Sequence, residues 1–148
     1  MKKINLILII FGVFITFTAL AQEDIFQEIA DNAPVGNGWA SVENYDLNTK
    51  KSDLVVQALA ELKEEYWENC GPWKTFRGPR TSIRKIKKLE ADQGIEVSAR
   101  RLQSLYDQKK IVALVGTESN NRVECSLHWF NIYGTDGSVL RLRYNLGD

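Results

Sequence analysis

The spacing of apolar residues changes period along this chain, and that change limits the folds open to it. Between Asp53 and Glu68, Val55, Ala58, Leu59, Leu62 and Tyr66 recur at the i, i+3, i+4, i+7 spacing of one helical face, while Glu61, Lys63, Glu64, Glu65 and Glu68 suit the opposite face to water. Ser52 or Asp53 can cap this helix and Gly71-Pro72 ends it. From residue 111 onward the period falls to two: Ile111–Val115 is an apolar run, and 122–133 and 139–144 alternate, with turn-prone residues at 119–121 and 135–138. A helix with one apolar face needs an apolar surface to cover, and a three-stranded meander supplies one. In its middle strand Val123, Cys125, Leu127 and Trp129 share the face expected to meet the helix, with Glu124, Ser126, His128 and Phe130 on the other. The expected class is α+β, one long helix packed on an antiparallel sheet.

The N-terminus reads as an export signal. Lys2 and Lys3 precede an apolar run from Ile4 to Leu20, and Ala19-Leu20-Ala21 forms a small-x-small cleavage site, so residues 1–21 are expected to leave and Gln22 to begin the mature chain. The expected destination is extracellular, or periplasmic in a bacterium, with no stable membrane insertion after cleavage. Residues 22–34 then form a peripheral arm, with Ile25, Phe26, Ile29 and Ala30 at helical spacing, and 35–148 a single domain. Basic and acidic residues number 19 each in the whole chain, so losing Lys2 and Lys3 leaves a net charge of −2. Bulk charge designates no partner, and nucleic acid is not expected on that ground. The two cysteines, Cys70 and Cys125, could pair in an oxidising compartment or remain buried thiols.

Residues 71–89 carry Lys74, Arg77, Arg80, Arg84, Lys85, Lys87 and Lys88 and no acidic residue. Gly71-Pro72 and Gly78-Pro79 suggest an irregular loop over the first half, and Ile83, Ile86 and Leu89 an inward-facing short helix over the second. One reading is a patch for an anionic surface; the other is a solvated face balanced by the acidic helix. Residues 95–108 are ambiguous, with Ser98 a candidate cap and Ala99, Leu102, Leu105 and Tyr106 on one side of a helix. Catalytic chemistry finds no support: His128 is the single histidine, successive residues of its strand face, Glu124, Ser126 and His128, are about 7 Å apart and too far for direct bonding, and one His with two distant Cys matches no zinc spacing. No cofactor motif is present, and neither a catalytic nor a metal-binding residue is assigned.

Gly36-Asn37-Gly38-Trp39-Ala40-Ser41-Val42, the helix through Val55-Val56-Gln57-Ala58-Leu59 to Glu64-Glu65-Tyr66, and Cys125-Ser126-Leu127-His128-Trp129 together resemble the cystatins, over most of the mature chain. That resemblance implies a secreted inhibitor that blocks the cleft of a papain-like cysteine protease with a wedge. Gly36 and Gly38 would serve its N-terminal limb, Gln103, Ser104, Leu105, Tyr106 and Asp107 its first loop after a strand from Ile95 to Leu102, and Tyr133 its second loop. Asp107 stands where the family's loop has Gly, and the basic segment lengthens the connection before it. Two other readings stand beside this one: a non-inhibitory secreted module that binds an anionic surface through 71–89, and, if 98–108 is helical, a domain resembling an NTF2-like cone with a ligand pocket.

Overall fold

In the computed structural model, residues 25–33, 38–94, 97–119 and 125–145 are described. They form helix α1 (residues 25–31), β1 (Trp39–Asn44), α2 (Lys51–Cys70), β2 (Trp73–Arg77), α3 (Pro79–Asp92), α4 (Ser98–Asp107), β3 (Ile111–Ser119), β4 (Leu127–Gly134) and β5 (Ser138–Asn145). The strands make one open, wholly antiparallel sheet in the order β1-β5-β4-β3-β2. The expected meander β3-β4-β5 lies at its centre. Its second turn follows from Asp136, whose carboxylate accepts the Ser138 amide at 3.0 Å. The first expected turn falls partly on residues 120–124, outside the described residues.

Alternation sorts the meander's side chains onto two faces, and both are apolar. Ala113, Val115, Trp129, Tyr133 and Val139 meet Leu54, Ala58 and Leu62 of α2, the contact expected from the periodicity. Leu114, Phe130, Ile132, Leu140 and Leu142 meet the other three helices: Phe26 and Ile29 of α1, Ile83, Ile86 and Leu89 of α3, and Ala99, Leu102 and Leu105 of α4. The expectation of a single covering helix is therefore corrected to a three-layer α+β arrangement with four helices among the described residues. The cause is readable in β4 and β5. In β4 Leu127, Trp129 and Tyr133 take one set of alternate positions and Phe130 and Ile132 the other, while β5 adds Val139 to the first and Leu140, Leu142 and Tyr144 to the second. Each buried Leu, Ile or Phe is worth roughly 1.5–3 kcal/mol, so neither face can stay in water.

Two local expectations change with it. Helix α1 is integral and not peripheral, because Phe26 and Ile29 are almost wholly buried. Residues 73–77 form a strand instead of a loop, joined to β3 through Trp73↔Ser119 and Phe76↔Gly116. Gly116 has room for no side chain, since a Cβ there would lie 2.5 Å from the Phe130 ring. Gly78, at φ 107°, turns the chain from β2 into α3, and Pro79 then occupies the first helical position.

The ambiguity at 98–107 resolves as helix α4. Ser98 is its first helical residue, and the capping acceptor comes from elsewhere: the buried Glu90 carboxylate accepts the Ser98 and Ala99 amides at 3.2 and 3.1 Å. These are amides that no helical carbonyl can reach. The strand from Ile95 to Leu102 and the loop at Gln103–Asp107 are both replaced by this helix, although residues 95–96 lie outside the described residues.

Cys70 and Cys125 form a disulfide with Cα atoms 5.2 Å apart, fastening the end of α2 to the segment entering β4. Close by on the α2 face, register aligns Trp39, Arg143, Trp129 and Thr117 across four strands. Arg143 is 1% exposed, with its guanidinium carbon 4.7 Å from the Trp39 ring centre and 4.3 Å from that of Trp129. Burial pulls its pKa down to about 10 against the pull of Tyr66 and Glu65, so it stays charged at neutral pH. Among the described residues, no helix is long and apolar enough to cross a membrane.

Candidate anion-binding groove

Helix α3 carries two patterns at once. Ile83, Ile86 and Leu89 point into the core, while Arg80, Arg84 and Lys87 repeat on a flank one turn apart. Five residues, 93–97, connect α3 to α4, and Glu90 near the end of α3 touches the start of α4, so the two helices run antiparallel. That flank consequently faces α4. Between the helices lies a groove of about 800 Å³ with Ile83 and Ala99 in its floor, Arg80, Arg84, Lys87 and Arg100 along it, and Gln103, Ser104, Asp107 and Gln108 on the α4 side. Among the described residues, none of these four cations forms an ion pair. Asp107 is the one carboxylate in the lining, and the Gln103 amide donates to it at 2.9 Å.

The basic segment is thus not one patch. Lys85 pairs with Glu118 on β3, Lys74 lies 3.7 Å from the same carboxylate, and both ammonium groups sit over the Phe76 ring at 5.7 and 5.6 Å. Arg77 and Lys88 are exposed outside the groove lining. Arg100 joins the site although nothing in the 71–89 composition could announce it. Its signal is local: one residue after Ala99, it falls on the groove flank only once 98–107 is helical.

A second groove of about 600 Å³ separates α4 from α1, lined by Ile25, Val97, Arg100, Arg101, Ser104 and Leu105. Arg100 and Ser104 border both grooves. Arg101 does not offer a free charge there, because it pairs with Glu28 at 2.6 Å.

Glu118 also faces His128, whose Nδ1 lies 3.6 Å from the carboxylate. Burial pushes the Glu118 carboxyl upward, but the hydrogen bond and charge of Lys85, aided by His128 and Lys74, outweigh it and leave Glu118 below its ordinary value. His128 moves down to about 4, first through burial and then through the charge of Lys85, with Glu118 opposing. It is neutral at physiological pH. Among the described residues it hydrogen-bonds to no serine, threonine or cysteine, and no group of three or more metal-ligating side chains occurs. Glu124 lies outside the described residues.

The residues assigned to a protease-blocking edge are dispersed. Gly36 lies outside the described residues, and Gly38 immediately precedes β1. Gln103–Asp107 is the C-terminal half of α4, with Leu105 buried at 1% exposure and Tyr106 half-buried. Tyr133 is 3% exposed under α2, within hydrogen-bonding distance of the Leu54 carbonyl. Register separates the ends as well. Trp39 is level with Trp129 through Arg143, whereas α4 leads into Ile111, level with Gly134, about 17 Å away along the strand at the usual rise per residue. Gly38 and the end of α4 therefore do not share an edge. Compared with protein-family models, with curated proteins and with solved structures, the chain matches none.

Proposed function

We propose that this protein is an exported binding module that grips an anionic partner through the face formed by α3 and α4. The observation that carries this reading is the convergence of Arg80, Arg84, Lys87 and Arg100 on one groove with no ion pair of their own among the described residues. Four cations on one concave surface concentrate positive potential, which attracts anions beyond what a net charge near zero would suggest. The export component is supported by the leader pattern and by the disulfide, a bond that persists in oxidising compartments. Occlusion of a protease cleft is the weaker reading, since its two loops fall on a helix and on a buried tyrosine.

The test is retention of the purified protein on immobilised sulfated or phosphorylated polymer across a salt gradient. Binding should weaken steadily as salt rises, and Arg84→Glu with Lys87→Glu should abolish it. No retention at low salt removes the reading. Export is tested by sequencing the N-terminus of the secreted protein, which should begin at Gln22.

A further inference from the structure

We infer that the ligand of the α3–α4 groove is a linear acidic polysaccharide lying lengthwise between the helices, an inference that rests on the anion-binding reading above. Antiparallel packing sets the lining in rungs. Lys87 lies across from Arg100 at the end nearer the α3–α4 connection, Arg84 across from Gln103 and Ser104 in the middle, and Arg80 across from Asp107 and Gln108 at the far end. Along α3 the three cations cover about 10 Å, at 1.5 Å of rise per residue. Positive charge is thus strongest at the Lys87–Arg100 end and is offset by Asp107 at the other. A single small anion would use one rung. A repeating chain uses all three.

The neutral groups decide the chemistry of the chain. Gln103, Ser104 and Gln108 supply exposed amide and hydroxyl groups. The Gln103 amide donates to Asp107 and the Gln108 amide to the Ser104 hydroxyl, each at 2.9 Å, and the side-chain carbonyls, second amide hydrogens and Ser104 hydroxyl hydrogen are left to meet the many hydroxyls of a sugar chain. None of the residues lining the groove is aromatic, so single-stranded nucleic acid would find no platform on which to stack its bases. A duplex is too wide to enter between two helices in contact, whose axes lie about 8–10 Å apart. A bilayer surface, flat on this scale, would meet the rims and leave the recessed floor at Ile83 and Ala99 untouched.

The purified protein is titrated at low salt with heparin, polygalacturonate, polyphosphate, a single-stranded oligonucleotide and anionic vesicles, and the titrations are repeated with Gln103→Ala/Ser104→Ala. Both replaced side chains are exposed on α4, and alanine favours the helix. The expected result is that heparin or polygalacturonate binds, the sulfated and uronate arms identifying which acid is read. The double variant should weaken that binding about tenfold, as two lost hydrogen bonds imply, and change polyphosphate binding by less than about twofold. Arg84→Ala/Lys87→Ala/Arg100→Ala should weaken every polyanion, by about tenfold or more. Binding of polyphosphate, oligonucleotide or vesicles without polysaccharide, or a double variant that shifts all polyanions equally, overturns the polysaccharide and leaves the anion-binding reading standing. If none of the probes binds, both fall.

Discussion

The two faces of the sheet are covered in opposite ways. On one, the 20-residue helix α2 lies across the meander, with a disulfide fastening its end. On the other, α1, α3 and α4 share the work, and the clefts between them run open along both sides of α4. One long helix closes a surface; several short ones close it and leave grooves. The polar groups follow the same division. On the α2 face a buried cation, Arg143, lies between two tryptophan rings, whereas on the other face a buried acidic side chain, Glu90, holds the start of α4.

Cutting the tie on the α2 side is the strongest way to probe this contrast. Replacing Cys70 and Cys125 by serine frees a closure spanning 55 residues and should cost about 4 kcal/mol in the chain-entropy model, read by denaturant unfolding. Hydrogen exchange should then quicken first in the last turns of α2, with α3 and α4 still protected. Equal loss on both faces would show that they unfold as one unit. Glu90→Ala attacks the other side, stranding two amides and the Tyr144 hydroxyl, 3.4 Å from the same carboxylate. A loss of about 3 kcal/mol is expected, with weaker polyanion binding as α4 shifts. A neutral result would mean that apolar contacts alone seat α4.

Arg143→Ala should cost about 2 kcal/mol and red-shift tryptophan emission, because Trp39 and Trp129 lose the group between them. The remaining effect is one of pH and appears only in acid. His128 titrates near 4 in the fold against about 6.5 in an unfolded chain, so the unfolded chain binds the extra proton between those values. Stability should therefore fall as pH drops from about 6.5 toward 4, and His128→Gln should flatten that part of the profile. Glu118 works in the range below: its lowered pKa adds stability above the ordinary carboxylate range, and that contribution disappears as acid protonates it in the fold.

What could be read from residues alone follows the same line between local and distant causes. Helix α2, the meander and the inward face of α3 are each written in a repeating local pattern, and all three appear, although the middle strand begins at Leu127 where the alternation placed its start at 122. Strand β2 could not be read, because Trp73–Arg77 sits between two Gly-Pro pairs and finds its partner about 40 residues later in β3. Helix α4 stayed ambiguous for a similar reason, since its capping carboxylate belongs to a different helix. Tyr133 looked like a loop residue until β4 turned it under α2. The groove was half visible: the cations of α3 stood out in composition, but separating Arg80, Arg84 and Lys87 from Lys74 and Lys85 requires knowing where Glu118 lies.

Strand β1, near the start of the described chain, finds its only sheet neighbour in β5, near the end. As the chain is delivered from its N-terminus, β1 must wait until almost every other described element is present before it has anything to pair with. A chain stopped short of residue 138 would leave that strand unmatched and strip the central meander of its third member. The sheet is thus complete only once β5 is present, and products truncated before it should betray themselves to proteases.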